Sequence, residues 1–476
     1  MLNWYEDQEY CAAFDGYIYN WPDILTTSNT VLKEADCAAT ITLLRNSPKA
    51  FPRALDGSFA LTLWEKHNRR LWLVRDPLGR KPLYYSITET ATILFASEPK
   101  ALLKHCAQSP RLNQDALSAY ITFGNVPAPL TLFEGINKLF PGEALQVNSE
   151  GVVTKCSYWH IPPFDSYSHS LDDLAGPIRE GLLKTLEKQL RNVKRVGVFL
   201  SGGADSTILL GALKLLGIQD RHSFTLSHAN GQQVDNRDDC DWARTVATLH
   251  GATHHVIEVD THPTASSRVP HLLSLFDDPV ILENRVAGCD LLTREAANIG
   301  VELCLSGNSQ QGFGGIWEWK TLRELLAQDS TRHLTTEELV LEAHLNLFSI
   351  KEQCTLLGVD EEGVRSVAAS LLNKYIQGVT ASDVFDLVAT ASLLMRSPEQ
   401  FIPFEERVAI TNGIEICYPY FDPLLLNVAN GIPAHFRGRS AESMCLAALR
   451  WAFRDVLPDD VANRQKVAYP RDPWTD

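Results

Sequence analysis

The sequence predicts an α/β protein in which a mostly antiparallel amino-terminal region precedes a doubly wound parallel sheet. Residues 1 to about 160 hold short apolar runs separated by Asp-Gly and Asp-Pro turn signals, a pattern typical of antiparallel strands. From Leu171 onward, helical stretches alternate with short apolar runs, the pattern of a parallel sheet wound with helices. At 476 residues the chain is also long enough for two hydrophobic cores.

The amino-terminal region divides into a few predicted elements. A linker is expected where Pro, Ser and Tyr accumulate, over Trp159–Ser170, and the domains are therefore predicted at 1–165 and 171–476. The predicted strands are Ser58–Trp64 and Arg70–Val74, and the predicted helices are 32–46 and 114–121.

The carboxy-terminal region is predicted to hold the parallel sheet and then a helical part. Residues 335–400 have an almost wholly helical pattern. The predicted strands are 195–200, 222–227, 254–258 and 301–305.

One segment of this region, Val196–Leu210, carries the main functional signal. An apolar strand is followed by the turn Ser201–Ser206 and then by a helix, a geometry that binds phosphate through glycine backbone and a helix N-terminus. Asp205 would repel phosphates unless a cation lies between them, and Mg²⁺ is the natural bridge. An ordinary strand-to-helix turn remains the alternative interpretation.

Composition limits the kinds of protein that fit. A net charge of −15 argues against nucleic-acid binding, and the absence of an uncharged apolar run of membrane-spanning length argues against a membrane protein. The ten cysteines are scattered and lack a C-x-x-C pair, which favours reduced thiols and a cytoplasmic protein. The oligomeric state stays open, a homodimer included.

Several ordered motifs resemble known families. The turn Ser201–Ser206 resembles the SGGxDS loop of ATP pyrophosphatases, which cleave ATP between its α and β phosphates. Together, the motifs are similar to asparagine synthetases and β-lactam synthetases, with a glutamine-amidotransferase-type domain followed by a synthetase domain. The amino-terminal motifs lie at 14–25, 55–65, 75–85, 95–102 and 123–145, and the later ones at 305–315, 413–423 and 463–466.

The resemblance implies a fold, cofactors and site residues. It implies an α+β amidotransferase-like sandwich, then an ATP-pyrophosphatase domain with a helical carboxy-terminal part, and it implies ATP and Mg²⁺. Asp205 would be the metal ligand and a catalytic residue, and Lys466 of the NRQK segment would be catalytic by stabilising developing negative charge. The implied nucleotide-binding residues are Leu200, Ser201, Gly202, Gly203, Asp205, Ser206, Thr225, Ser306 and Gly307.

The sequence also departs from this family pattern. Position 2 is Leu where glutamine-using members have a nucleophilic cysteine, and Cys11 is interpreted as a core residue. Gln310 and Gln311 replace an Asp-Glu pair of which the Asp helps to hold Mg²⁺, so Asp277 or Asp278 is considered as a substitute.

Two further elements of the pattern differ. Asn308 replaces a tyrosine that β-lactam synthetases pair with a glutamate to deprotonate the amine, and Glu405 and Glu406 are interpreted as a surface pair. Leu446 stands where the family has a lysine.

The function favoured by these residues is an ATP-dependent, AMP-forming amide or lactam synthetase of β-lactam-synthetase type that does not use glutamine. Its partners would be a small-molecule or peptide carboxylate and an amine, in the biosynthesis of a specialised metabolite. A lasso-peptide-type macrolactam cyclase and a non-catalytic nucleotide-binding subunit remain alternatives. The acidic charge weakens a tRNA-modifying pyrophosphatase as a further alternative.

Overall fold

The computed structural model describes most of the chain and resolves it into two compact units. One unit comprises Met1–Ile161, His333–Val379 and Thr390–Pro403, and the other comprises Pro162–Arg332, Thr380–Ala389 and Phe404–Asp476. The predicted domain limits at 165 and 171 stay a prediction. The described residues are 3–25, 35–90, 92–105, 109–164, 170–228, 237–259, 269–279, 284–314, 316–328, 334–345, 348–381, 383–437 and 446–463.

Strands of both units are bounded as follows: β1 (Asn3–Glu6), β2 (Tyr10–Ile18), β3 (Gly57–Glu65), β4 (Arg70–Arg75), β5 (Tyr84–Ile87), β6 (Ile93–Ala96), β7 (Asn137–Lys138), β8 (Glu143–Val147), β9 (Val153–Ser157), β10 (Arg195–Phe199), β11 (Asp220–His228), β12 (Thr253–Val259), β13 (Leu303–Leu305) and β14 (Glu415–Cys417).

In the amino-terminal unit the strands form antiparallel sheets, as the turn signals predict. The larger sheet has the order β1-β2-β3-β4-β8-β9, and the smaller one has the order β6-β5-β7. Strand β3 lies in the middle of the larger sheet and is buried along nearly its whole length, with Phe59 and Leu61 in the core. Both of its faces are therefore covered, which explains why its sequence is apolar without alternation.

In the second unit five strands form a parallel sheet with the order β12-β11-β10-β13-β14, which confirms the doubly wound fold. The four predicted strands are present with small shifts at their ends. The fifth, β14, is only three residues long, too short for an apolar pattern to be recognised in the sequence. The chain first runs from β10 toward β12 and then crosses to β13, so the winding direction reverses between β10 and β13.

Helices fill the remaining described structure: α1 (Trp21–Ile24), α2 (Ala35–Asn46), α3 (Pro99–Leu103), α4 (Gln114–Phe123), α5 (Leu171–Gln189), α6 (Ala204–Leu215), α7 (Arg237–His250), α8 (Val269–Ser274), α9 (Asn284–Asn298), α10 (Trp317–Leu326), α11 (Thr336–His344), α12 (Ile350–Leu357), α13 (Glu361–Ile376), α14 (Val384–Ala391), α15 (Ile402–Thr411), α16 (Pro423–Asn430), α17 (Ala447–Ala452) and α18 (Asp459–Asn463).

The helical prediction for 335–400 is confirmed by α11 to α14 and by a π-helical stretch, Ser392–Phe401. Short 3₁₀ helices occur at Gln311–Phe313 and Ala434–Arg437. In the second unit, α6 is apolar on nearly all sides and packs in one core with β10, with Ile208, Leu209 and Val198 fully buried. None of the helices in the described residues combines the length and hydrophobicity needed to span a bilayer.

Candidate active site

The candidate site lies at the carboxyl ends of β10 and β13, where the winding of the parallel sheet reverses. In open α/β sheets, helices leave neighbouring strands on opposite faces at such a point, which opens a crevice for ligands. Two loops occupy this edge: Leu200–Gly203, between β10 and α6, and Ser306–Gln310, after β13. We call the second one the β13 loop.

The loop after β10 has the geometry of a phosphate-binding turn. Gly202 has a φ of +70°, a left-handed conformation that glycine adopts without strain. The Ser206 hydroxyl accepts a hydrogen bond from the Ser201 amide at 3.2 Å, which closes the turn over the first residues of α6. Asp205, in the first turn of α6, is partly exposed. The loop therefore presents a helix N-terminus and one carboxylate together.

Leu200, the first residue of this loop, is hydrogen-bonded to strand β11, in which Thr225 lies. The Thr225 hydroxyl donates to the Leu200 carbonyl at 2.5 Å, and the Leu200 amide donates to the Phe224 carbonyl at 2.9 Å. These bonds continue the pairing of β10 and β11 by one residue beyond the ladder. Their role in nucleotide binding stays a prediction.

The β13 loop packs directly on the start of α6. A Cβ atom built at Gly307 would lie 3.2 Å from the Cβ of Asp205 and 3.3 Å from the amide nitrogen of Ser206. The Gln310 carboxamide Nε2 donates to Asp205 Oδ2 at 3.2 Å. The predicted site residues Asp205 and Gly307, which follow two neighbouring strands, are thus brought together.

The same loop reaches a second carboxylate. Asn308 Nδ2 donates to Glu405 Oε1 at 2.5 Å, and the Tyr418 hydroxyl donates to Glu405 Oε2 at 2.9 Å. The interpretation of Glu405 and Glu406 as a surface pair is wrong, because Glu406 is only 8% exposed and Glu405 is bonded within the unit. Both residues lie in helix α15, whose packing within the unit is not visible in the sequence.

Two tyrosines that sequence reasoning missed follow the short strand β14. Burial raises the pKa of Tyr418 well above its usual value, and the Glu405 carboxylate adds to the effect. Burial and Asp205 act likewise on the pKa of Tyr420, whose hydroxyl donates to the Asp205 carbonyl at 2.8 Å. Both tyrosines therefore remain protonated donors at neutral pH. Recognising β14 in GIEICYPYFDP would have placed them at the strand end.

The donor set at this edge suits a magnesium ion that arrives on a triphosphate. Mg²⁺ takes one or two protein carboxylates and fills its shell with phosphate oxygens and water, and Asp205 supplies one carboxylate. Asp277, one of the two substitutes considered, is ion-paired instead, because its Oδ2 accepts from Arg407 at 2.8 Å. Among the described residues, no group of three or more His, Cys, Asp or Glu side chains comes together as a metal site.

The predicted carboxy-terminal lysine, Lys466, lies outside the described residues. The last described helix before it is α18. There, the carbonyls of Val461 and Ala462 accept hydrogen bonds from Arg450 Nη1 at 2.8 and 2.7 Å. Leu446, which stands where the family has a lysine, is buried and has a φ of +62°.

The histidine pair His254–His255 lies on β12, the edge strand of the parallel sheet and one of the predicted strands. His254 is hydrogen-bonded to Ser223 at 2.9 Å, and His255 to His222 at 3.0 Å. These contacts join the amino ends of β11 and β12, whereas the candidate site lies at the carboxyl ends of the strands.

A doubly wound parallel sheet with a glycine turn and an acidic residue at its switch point is typical of nucleotide-binding α/β proteins. Comparison with known proteins agrees. Residues 3–159 match the glutamine amidotransferase domain family, and residues 177–475 match the asparagine synthase family. The chain belongs to the asparagine synthase family. It is accordingly an ATP-dependent carbon–nitrogen ligase.

Individual relatives are distant. "Asparagine synthetase [glutamine-hydrolyzing] 1" of Bacillus subtilis is 26% identical, over 98% of this chain and 76% of its own length. "Amidase chry2" of Gibberella zeae is 27% identical over 43% of this chain and 31% of its own length. Among solved structures, the NH3-dependent NAD synthetase of Campylobacter jejuni aligns with a TM-score of 0.23 and 12% identity, over 43% of this chain and 93% of that one.

Proposed function

We propose that this chain uses ATP to adenylate a carboxylate, releases pyrophosphate, and couples the acyl group to an amine of the same molecule, giving a lactam as β-lactam synthetases do. The observation that carries the proposal is the β13 loop, which hydrogen-bonds Asp205 through Gln310 and Glu405 through Asn308. One short loop therefore contacts both Asp205, which we assign to the nucleotide, and Glu405, which we assign to the amine. A role in specialised-metabolite biosynthesis belongs to the same proposal.

On the nucleotide side, this chain contributes backbone amides and Asp205. The turn Ser201–Gly203 and the N-terminus of α6 offer N–H donors to phosphate oxygens. Asp205 and the triphosphate would together hold a magnesium ion. When bound, this ion supplies positive charge that favours pyrophosphate departure. Gln310 keeps the Asp205 carboxylate oriented toward the β13 loop.

On the amine side, Glu405 is the residue proposed to take the proton. Asn308 and Tyr418 each donate to one of its oxygens, so that the carboxylate plane is fixed. A carboxylate has about four acceptor sites, so Glu405 is also able to accept the N–H of an attacking amine. In β-lactam synthetases a tyrosine from the position of Asn308 pairs with a glutamate, and here Tyr418 supplies the phenol from the end of β14. This pairing supports the lactam-forming version of the reaction.

The amine is proposed to come from the substrate and not from glutamine. Cys11, the cysteine nearest to the start of the described chain, lies within β2 and pairs across the sheet with Glu6 and Trp64. Burial raises the pKa of the Cys11 thiol, and the Glu6 carboxylate raises it further, which disfavours the thiolate. The Bacillus subtilis relative carries glutamine hydrolysis in its name, so the two proteins would differ in this step.

A pyrophosphate-release assay with panels of amino acids and peptides tests the proposal, with hydroxylamine added to trap acyl-adenylates as hydroxamates. We expect release with a subset of carboxylates, loss of release in Asp205→Asn, and full release in the exposed control Asp241→Asn. ATP binding without turnover on any carboxylate would instead indicate a non-catalytic subunit. Release of glutamate from added glutamine would refute glutamine independence.

A further inference from the structure

Ser309 lies between the two residues of the β13 loop that bind carboxylates. Its neighbour Asn308 bonds to Glu405, and its neighbour Gln310 bonds to Asp205. The hydroxyl of Ser309 is therefore carried by the segment that joins the nucleotide side of the site to the amine side.

Three properties of Ser309 are unusual in combination. The residue is only 3% exposed, its φ of +65° is left-handed, and its Oγ has no hydrogen-bond partner among the described residues. Few residues other than glycine adopt a left-handed backbone, and buried hydroxyls are normally paired. A side chain that is buried, strained and unpaired at once is the type of group that a bound ligand completes.

The position of the loop indicates which ligand. Gly307 approaches Asp205 and the Ser206 amide so closely that a side chain there would be crowded at 3.2 and 3.3 Å. The β13 loop is thus packed on the phosphate-binding turn itself. Ser309 lies between Gly307 and Gln310, the two residues of this loop that contact the start of α6.

We propose that the Ser309 hydroxyl donates a hydrogen bond to a phosphate oxygen of the bound nucleotide. The inference rests on the proposed function, since it assumes that ATP binds at the turn after β10. It adds Ser309 to Ser306 and Gly307, the residues of the same loop that the family resemblance implies for nucleotide binding.

Calorimetric titration of MgATP into wild type, Ser309→Ala and Ser309→Gly tests the inference. Loss of one hydrogen bond to a charged phosphate is expected to weaken binding by roughly tenfold in both variants. Ser309→Gly should at the same time raise the thermal midpoint, because glycine tolerates the left-handed backbone. Titrations with AMP and with inorganic pyrophosphate locate the contact at the α-phosphate or at the β and γ phosphates.

Ser397→Ala is a matched control. Ser397 is fully buried and its Oγ is also without a partner among the described residues, but it belongs to the other compact unit. We expect its MgATP affinity to equal that of wild type. Wild-type affinity in both Ser309 variants would overturn this inference alone, whereas no MgATP binding by wild type would overturn the proposed function as well.

Discussion

Gln310 is the residue whose chemistry most alters the metal side of the site. Its neutral carboxamide bonds to Asp205 Oδ2, so the pair carries one negative charge instead of two. We expect Gln310→Asp to strengthen binding of Mn²⁺ in the absence of nucleotide by at least about tenfold, because ligand charge governs affinity for hard cations. Electron paramagnetic resonance of free Mn²⁺ measures this directly.

Gln311→Asp serves as the control for that change. It adds the same charge one residue further on, in the first residue of the 3₁₀ helix Gln311–Phe313. A smaller gain is expected there. Equal gains in both variants would mean that the contact with Asp205 does not define the metal position.

Tyr418 and Tyr420 form a second matched pair of residues. Tyr418→Phe removes a donor from Glu405 and should slow amide formation roughly a hundredfold, the scale of a weakened general base, while adenylation continues. Tyr420→Phe removes the donor to the Asp205 carbonyl and should instead affect adenylation. Hydroxamate formation and amide formation, measured separately on the substrate found by the pyrophosphate assay, distinguish the two. Identical effects on both steps would contradict the division.

At the scale of the structural elements, the backbone after the 3₁₀ helix Gln311–Phe313 requires glycine at position 314. Gly314 has a φ of +106°, and a Cβ atom there would lie 1.8 Å from the carbonyl oxygen of Arg437. We expect Gly314→Ala to lower the free energy of unfolding by about 3 kcal/mol or more. The added methyl group would push the Arg437 backbone away, and alanine would also be strained in the left-handed conformation. Urea denaturation followed by circular dichroism gives the value.

Gly413 offers the comparison at the element scale. It has a φ of +76°, but a Cβ atom there would meet nothing within 4 Å. Gly413→Ala should therefore cost only the left-handed strain, about 1 kcal/mol. If both variants lost the same stability, the contact with Arg437 would not anchor the segment.

At the scale of the whole molecule, the amino-terminal unit is assembled from distant parts of the sequence. Within it, Glu399 bridges Arg75 at 3.0 Å and Lys138 at 2.6 Å, and all three side chains are almost fully buried. Glu399→Gln would remove the carboxylate charge that bridges two buried cations, so we expect a loss of about 3–5 kcal/mol in the free energy of unfolding. Thermal and urea unfolding would measure it.

The exposed pair of Glu98 and Lys100, 3.1 Å apart in the same unit, supplies the control. Glu98→Gln should change stability by less than about 1 kcal/mol, because solvent screens surface ion pairs. A similarly small effect of Glu399→Gln would show that the buried triad is compensated by other groups.

Much of this protein was determined by the sequence alone, wherever local patterns sufficed. The strand, glycine turn and helix around Asp205 follow one another without interruption, so neighbouring residues fix both the elements and the phosphate-binding geometry. The alternation of helices with apolar strands likewise predicted the parallel sheet. Its motifs pointed to the family that the comparisons confirm.

What only the tertiary structure decided is the set of contacts on the far side of the β13 loop. Asn308, Glu405 and Tyr418 come from a loop, a helix and the end of a three-residue strand, separated by up to 110 positions. No short-range pattern records such a meeting, because hydrogen bonds between side chains depend on how β13, β14 and α15 pack. Glu405 therefore resembled a surface residue in the sequence, and the fold makes it a fixed acceptor inside the candidate site.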